Sequence, residues 1–405
     1  MATLARLRQR LLPLPLLLPH LLLRRFSSAA AILSPGDPSA VLTSKQKSRA
    51  ALSLLKSEKN PARIVEICRA ADLTPASHLD RTALSIATSK LATSGSFAAL
   101  RSYLDGFLSP RPDISSDRLR SHAIVLFGQA GMLDDAVRTF KASDSPSVRS
   151  LNALLFACIL AKKHDEVGRI FRDFPTSYGI TPNLDTYNTV IKAFCESGTS
   201  RSFFSVLDEM VRIGIKPNMM TFCTALAGFY REERFDDVGK VLELMKKHDC
   251  HPGLSAYNVR IQSLCKLKRL GEAKALFKEM VAEGMKPNWV TYNHLIFGFC
   301  KEGDLEEGKK LYKEMGKRGC VADSSCYFTL IYYLCQGGDF EAALGVAKET
   351  MARNWVPCFS TMKMLVNGLV RGAKVEEARE LIEKMKEKFS GNADMWKEVE
   401  EELPQ

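Results

Sequence analysis

Two short stretches carry residue types that catalytic sites use. Residues 303–310 read GDLEEGKK, which matches the spacing of a phosphate-binding loop except that Lys310 replaces the Ser or Thr that holds the metal ion. Residues 164–166 have the H-x-E spacing of zinc deaminases, but Pro357 and Cys358 do not continue as the required P-C-x-x-C. No H-E-x-x-H or G-x-S-x-G motif occurs. The sequence therefore predicts a protein that is not an enzyme.

A second group of polar residues recurs at a fixed spacing. Residues 181–195 read TPNLDTYNTVIKAFC, and residues 286–300, which lie 105 positions later, read KPNWVTYNHLIFGFC. The spacing is three times 35, and Asn258 lies at the same phase between Asn188 and Asn293. A fixed period of this length indicates an array of repeated structural units.

Each 35-residue unit predicts two helices. In residues 184–218, apolar side chains follow the i, i+3, i+4, i+7 pattern of a helix with one buried face, and Gly198 marks the turn that follows. Gly214 is typical of the end of the second helix, and Pro217 prevents its continuation. Small residues at one phase of the second helix would let the paired helices approach closely: Ala273, Gly308, Ala343 and Ala378.

Two such helices cannot bury both apolar faces alone, so consecutive units must stack, with every first helix lining one surface. The predicted fold is all-α, a right-handed superhelical solenoid of about ten units. The units are 46–80, 81–116, 117–147, 148–183, 184–218, 219–253, 254–288, 289–323, 324–358 and 359–393, of which the first three are degenerate. Residues 37–45 are predicted to be a linker, and the acidic residues 394–405 a solvated capping helix.

Eleven cysteines could indicate disulfides or metal sites. No C-x-x-C pair occurs, however, and four of the cysteines fall at one phase of the repeat: Cys195, Cys265, Cys300 and Cys335. Free cysteine commonly packs as a small apolar residue, so we expect these four in the core. No metal and no cofactor are predicted.

The N-terminal segment differs from the rest of the chain. Residues 1–36 contain five arginines and no acidic residue, which is typical of a mitochondrial transit peptide, with a plastid as the alternative. Residues 11–23 could instead be the apolar core of a secretory signal peptide, but three prolines interrupt them, and they are too short to span a bilayer well. The formal net charge of +11 falls by five without these arginines, and the charge that remains is basic enough to attract RNA.

The motifs T-Y-N, F-C-K-E-G, Leu-Phe-x-E-Met and G-x-K-P-N resemble the pentatricopeptide repeat family, most closely in units 184–218, 254–288 and 289–323. The tetratricopeptide repeat, with a period of 34, fits these motifs less well. The resemblance is to the plain-repeat class of plant organelles, including short members found with mitochondrial ribosomes. It implies binding of single-stranded RNA, one base per unit, with no membrane or small-molecule partner.

The resemblance also implies which residues contact RNA. The base-reading pairs are Asn152 with Asn183, Asn188 with Asn218, Asn258 with Asn288, and Asn293 with Asp323. Base sandwiching falls to Met220 and Val290. Phosphate contacts are expected from Lys192, Arg231, Arg260, Lys266, Lys268, Arg269 and Lys301. The alternatives are that the asparagines serve only turn and cap geometry, and that the cations form an ordinary solvated face.

Three functional hypotheses are compatible with the sequence. The chain could grip RNA as a component or factor of the mitochondrial small ribosomal subunit, or it could bind a transcript on its own. It could also be a protein scaffold that binds no RNA. Three pairs depart from the family's code, namely Cys223 with Gly253, Phe328 with Cys358, and Lys363 with Ala393. These departures predict a short, interrupted, pyrimidine-leaning footprint and favour the ribosomal hypothesis.

Overall fold

The computed structural model describes residues 32–34, 42–72, 81–108, 116–353, 355, 358–388 and 393–403. All regular secondary structure in these residues is helical, which confirms the predicted all-α class. No helix in the described residues is long and apolar enough to cross a membrane. The chain divides into two compact units, Met1–Thr181 and Pro182–Gln405. The predicted transit peptide, apart from residues 32–34, lies outside the described residues.

The described part of the first unit contains four helix pairs. Its helices are α1 (Ser44–Ser57), α2 (Pro61–Asp72), α3 (Arg81–Thr93), α4 (Phe97–Phe107), α5 (Ser116–Gln129), α6 (Leu133–Lys141), α7 (Val148–Leu160) and α8 (His164–Tyr178). Helix α1 begins inside the predicted linker 37–45, because Thr43 and Gln46 form a reciprocal cap at its N-terminus. The units predicted as degenerate therefore still form helix pairs.

The second unit contains six helix pairs and a final helix in its described residues. The helices are α9 (Leu184–Glu196), α10 (Ser202–Arg212), α11 (Met219–Arg231), α12 (Phe235–Lys247), α13 (Leu254–Lys266), α14 (Leu270–Ala282), α15 (Trp289–Lys301), α16 (Leu305–Lys317), α17 (Ser324–Gln336), α18 (Phe340–Ala352), α19 (Phe359–Arg371), α20 (Val375–Lys388) and α21 (Ala393–Glu401). The first helices α9, α11, α13, α15, α17 and α19 pack in sequence against one another. Each of them also packs on the second helix of its own pair.

The turn between paired helices repeats one backbone conformation. A residue with positive φ recurs every 35 positions: Gly198, Glu233, Lys268, Gly303, Gly338 and Ala373. Glycine adopts this left-handed region without steric cost, whereas a side chain there costs roughly 1–2 kcal/mol. The stacking of the helices therefore holds three of these turns in a conformation that their own residues disfavour.

Neighbouring first helices approach closely at cysteine–glycine contacts. A Cβ added to Gly228 would lie 2.5 Å from Cys195 Sγ, and one added to Gly298 would lie 2.8 Å from Cys265 Sγ. All four cysteines of the common phase are buried and free, which confirms that they belong to the core. Burial raises the pKa of the Cys265 thiol to about 12. The expected small residues of the second helices, including Ala273 and Gly308, are also buried.

The C-terminal helix α21 is docked onto the preceding pair. Trp396 is fully buried, and its ring lies 4.8 Å from that of Phe359 in an edge-to-face arrangement. Glu402 lies 3.6 Å from Lys363 of helix α19. The prediction of a solvated helix is correct only for its acidic face, because the two residues at i and i+3, Trp396 and Val399, form an apolar stripe that packs.

Candidate nucleic-acid interface

The predicted base-reading residues of the pair linkers begin the first helices. Asn183, Asn218 and Asn288 are N-caps, and their Oδ1 atoms accept hydrogen bonds at 3.0–3.1 Å from backbone N–H groups of the threonines three residues later. Asp323 caps α17 in the same way, since its Oδ1 accepts from the Cys326 N–H at 2.9 Å. The capping geometry considered as an alternative is therefore present at all four positions. Their role in binding bases stays a prediction.

At two of these caps, Asn218 and Asn288, a buried threonine also bonds to the asparagine of the previous unit. Thr221 Oγ1 donates to Asn188 Oδ1 at 2.7 Å and also lies 3.1 Å from Asn218 Oδ1. Thr291 makes the equivalent 2.7 Å bond to Asn258 Oδ1, 33 residues earlier. The structure thus brings together two of the predicted pairs, Asn188 with Asn218 and Asn258 with Asn288. In these two units a Thr holds the Asn of the preceding unit in place, which gives the recurrence of the two residue types a structural cause.

This bond fixes the orientation of the asparagine amide. The carbonyl oxygens of Asn188 and Asn258 are engaged by a hydroxyl, so the Nδ2 group is the end that remains to donate. Asn258 Nδ2 lies 3.4 Å from Asn288 Oδ1, which is a long hydrogen bond. Asn188 and Asn258 are each only 8% exposed, so a ligand would contact only the edge of the amide. The arrangement suits an acceptor atom on a base edge.

The Asn293 unit departs from this arrangement. The residue that should donate to it is Cys326, which has no hydroxyl, and the buried Asn293 Oδ1 has no hydrogen-bond partner among the described residues. Its Nδ2 donates to Ser325 Oγ at 3.2 Å. The predicted partner, Asp323, caps the same helix end. Because a buried acceptor without a donor is unfavourable, this amide differs from the other two in what it can offer a ligand.

The remaining residues predicted to contact bases differ from one another in position and exposure. Asn152 lies half-buried on α7 of the first unit, whereas its predicted partner Asn183 belongs to the second unit. Met220 and Val290 occupy the second positions of α11 and α15, where Met220 is 64% exposed and Val290 half-buried. Sequence reasoning missed the neighbouring Trp289, which is exposed at the first position of α15. Their part in sandwiching bases stays a prediction.

Exposed cations end four of the first helices at one register, and we call them the cation row: Arg231, Lys266, Lys301 and Arg371. Each follows its unit's base-reading position by eight residues, or about 12 Å along the helix. Arg231 Nη1 donates to the Cys195 carbonyl at 3.1 Å, which anchors it beside the previous helix. The prediction omitted Arg371, although the 35-residue period reaches it from Lys301 through Gln336.

The other predicted phosphate residues have neighbours within the protein. Lys192 lies 3.9 Å from Glu196, Lys268 lies 2.9 Å from Glu302, and Arg269 pairs with Glu272 while its guanidinium lies 4.0 Å from the Phe235 ring centroid. Arg260 Nε donates to the Tyr230 hydroxyl at 3.2 Å. Exposed ion pairs of this kind are weak, so phosphate could compete for these cations. Their phosphate contacts stay predictions.

The two enzyme-like stretches have structural roles. Gly303 forms the turn before α16, and Asp304 Oδ1 caps that helix by accepting from the Glu307 N–H at 3.0 Å. The helix N-terminus that a phosphate would need is therefore occupied by the protein's own carboxylate. In the described residues, no group of His, Cys, Asp or Glu could hold a metal ion. His164 is simply the first residue of α8.

Models of three repeat families match the repeated part of the chain. The model of the PPR repeat family matches residues 182–231, 252–301 and 287–336, that of the pentatricopeptide repeat domain matches 145–197, and that of the PPR repeat matches 360–388. The maize protein PPR10, which has also been solved with an 18-nt RNA element, aligns over 86% of this chain and 49% of its own. That alignment has 20% sequence identity and a TM-score of 0.49.

Two Arabidopsis thaliana relatives match over part of the chain. A mitochondrial pentatricopeptide repeat-containing protein is 50% identical over 42% of this chain and 44% of its own. The small ribosomal subunit protein mS78 is 35% identical over 46% of this chain and 48% of its own. The chain therefore spans less than half the length of these relatives. Its repeated helix pairs, its T-Y-N motifs and the family models together place it in the pentatricopeptide repeat family.

Proposed function

We propose that this protein is a non-catalytic, single-stranded RNA-binding repeat protein that acts in mitochondrial RNA metabolism or translation, in association with the small ribosomal subunit. The observation that carries the proposal is the order of polar groups along the first helices. We call Asn188, Asn258 and Asn293, which lie near the N-terminal ends, the asparagine series. Buried threonines orient the first two amides, and the cation row lies near the C-terminal ends. Base edges and phosphates need these two kinds of group.

The asparagine series contacts bases and the cation row contacts phosphates. Asn188 and Asn258 donate from Nδ2 to acceptor atoms on a base edge, because their carbonyl oxygens are engaged inside the protein. Lys266 and Lys301 neutralise phosphates without regard to sequence. Binding of this kind holds the strand unfolded and keeps nucleases away from it.

Interruptions in the series support a ribosomal role over strict recognition of one transcript. Cys223, Phe328 and Lys363 stand where the neighbouring units place asparagine. A site on ribosomal RNA requires shape and charge more than a continuous base code, and the name of one relative places that protein in the small subunit. Mitochondrial location is proposed from the predicted transit peptide and from the name of another relative.

Sedimentation of the tagged protein from a mitochondrial lysate tests the ribosomal part. We expect comigration with the small subunit through high salt, including after the subunits have been dissociated. A protein that remained in light, RNase-sensitive fractions would instead be a free transcript-binding factor. A position in light fractions that RNase left unchanged would favour a protein scaffold.

Salt-dependent binding to a pyrimidine-rich single strand tests the RNA part. The variant that carries Arg231→Gln, Lys266→Gln and Lys301→Gln should bind more weakly, and its log–log salt slope should fall by about 0.7 for each phosphate that is no longer neutralised. The matched control changes three exposed lysines of second helices, namely Lys247→Gln, Lys278→Gln and Lys313→Gln. Equal losses of affinity in the two variants would mean that net charge, rather than the cation row, governs binding.

A further inference from the structure

Four aromatic rings form a cluster on the adjacent first helices α15 and α17. The rings of Phe328 and Tyr332 are nearly parallel, with centroids 6.0 Å apart and an interplanar angle of 16°. Tyr333 contacts Tyr332 edge-on at 5.1 Å, and it reaches across to Phe297 at 6.1 Å. Gln336 Nε2 donates to the Tyr332 hydroxyl at 2.9 Å, which helps to hold that ring in place. We call the four aromatic residues the aromatic cluster.

Two rings of the aromatic cluster face outward, whereas other aromatic residues of the same helices are buried. Phe297 is 41% exposed and Phe328 is 46% exposed, whereas Tyr292 and Tyr327 are buried. The folding of the described residues therefore leaves two phenyl rings in contact with water, although burying an aromatic ring is strongly favourable. Contiguous exposed apolar surface of this kind marks a binding site more often than chance.

The position of the cluster connects it with the candidate nucleic-acid interface. Phe328 occupies the register of the asparagine series, 35 residues after Asn293. Phe297 and Tyr332 share the next register along their helices, between that series and the cation row. Lys301 of the cation row lies with Nζ 5.7 Å from the Phe297 ring centroid. Exposed rings and a cation therefore lie together where the asparagine pattern is interrupted.

We propose that the aromatic cluster is a stacking platform for unpaired bases of single-stranded RNA, and that it binds them without regard to base identity. The inference rests on the proposed function and adds a mode of contact that the asparagine series does not provide. Every base has a π-face, so stacking tolerates any sequence, while a neighbouring cation holds the phosphate. The cluster thus binds the RNA strand in a unit that has no base-reading pair.

Charge favours RNA over a protein as the occupant. Lys301 adjoins the cluster, and Arg371 continues the cation row on the next first helix, so positive charge lies on both sides of the rings. Rings flanked by cations match a nucleic-acid strand, whose stacked bases are apolar and whose backbone is anionic. A protein partner is one of the outcomes of the test.

The test compares a variant carrying Phe297→Leu and Phe328→Leu with the wild-type protein. Leucine retains apolar surface but has no ring, and the matched control is Phe97→Leu, which changes an equally exposed phenylalanine on a second helix of the first unit. The probes are 14-nt strands of U, C or A, and a U strand with abasic sites through its centre. We expect the double variant to bind U, C and A strands about 5- to 100-fold more weakly, with no loss on the abasic strand.

A fluorescent base analogue provides a second readout. A single 2-aminopurine in the U strand should change its emission on binding to the wild-type protein and to the Phe97→Leu control, but not to the double variant. If the wild-type protein binds RNA and the double variant binds equally well, the aromatic cluster is not a platform, while the proposed function stands. If the wild-type protein binds no strand, both proposals fail. An RNase-resistant protein partner that only the double variant loses would show a protein interface instead.

Discussion

The first helices and the second helices of residues 182–388 form two layers. The layers have the same period, but different contacts join neighbouring units in each. Neighbouring first helices interlock through buried side-chain hydrogen bonds and through cysteine–glycine contacts. Ion pairs join second helices from one unit to the next, such as the half-buried pair of Lys274 with Glu307 at 2.5 Å and the exposed pair of Lys348 with Glu380 at 3.4 Å. Directional buried bonds specify geometry, whereas exposed ion pairs contribute little free energy. Geometric precision therefore lies in the layer that carries the candidate interface.

The largest expected effect tests how tightly the first helices pack. Gly228→Ala would place a Cβ 2.5 Å from Cys195 Sγ and 2.6 Å from its Cβ. We expect a loss of roughly 1–3 kcal/mol in the free energy of unfolding, measured by urea denaturation, because a close-packed contact cannot absorb a methyl group. The control is Gly239→Ala on α12, where no atom of the described residues outside that helix turn lies within 4 Å of the added Cβ. That change should stabilise the protein by up to about 1 kcal/mol. Equal changes in the free energy of unfolding for the two variants would show that first helices are packed no more tightly than second helices.

The threonine bonds can be broken in one unit and built in another. Thr221→Val should cost about 1–3 kcal/mol, because it removes the donor to the buried Asn188 carbonyl oxygen. Cys326→Thr should instead stabilise the protein, since it supplies the hydroxyl that Asn293 Oδ1 lacks. Both changes are measured by thermal melting and urea denaturation. A destabilising Cys326→Thr would mean that the cysteine is required for packing at that position.

Two substitutions at the repeated turn should change the free energy of unfolding by a similar or smaller amount, one raising it and the other lowering it. Ala373→Gly should stabilise by about 1 kcal/mol, because Ala373 has a φ of 56° that glycine adopts without strain. Gly303→Ala, at the equivalent position with a φ of 91°, should destabilise by at least that amount. Two turns of one geometry thus serve as each other's control. Urea midpoints that moved in the same direction would show that contacts rather than φ decide the effect.

The smallest effect is expected in the second layer. The Lys309 ammonium donates to Asp339 at 2.7 Å and is the main cause that holds the pKa of that carboxyl below its ordinary value. A lowered pKa in the folded state contributes stability above the ordinary carboxyl pKa, and this contribution is lost as the pH falls through the folded-state value. Lys309→Gln should therefore cost less than about 1 kcal/mol at pH 7, and the cost should diminish at pH 3. A stability cost of Lys309→Gln that was the same at pH 7 and pH 3 would show that the ion pair contributes nothing.

The fold could be predicted because periodicity is a property of the sequence. Tyr187, Tyr257 and Tyr292 recur at one phase, and all three are buried with their hydroxyls donating to glutamates 22 residues later. The candidate site was only partly predictable. Cation-row members such as Lys266 follow from spacing, whereas the outward direction of Phe297 does not, because an apolar residue on a predicted helix is expected inside. Trp396 was missed for a related reason, since the acids around it suggested a solvated helix.

By itself, the sequence determined the repeat unit, its length and the helix pair within it. These follow from local spacing, caps and breakers, and therefore require no knowledge of distant contacts. Only the tertiary structure decided what the residue at each repeated phase touches, because its partners lie one unit away. Thr221 contacts Asn188 across 33 residues, whereas Cys326 supplies no hydroxyl to Asn293, whose Oδ1 has no donor in the described part of the chain. Hydrogen bonding between units depends on how neighbouring helices stack, and that geometry exists only once the units have packed together.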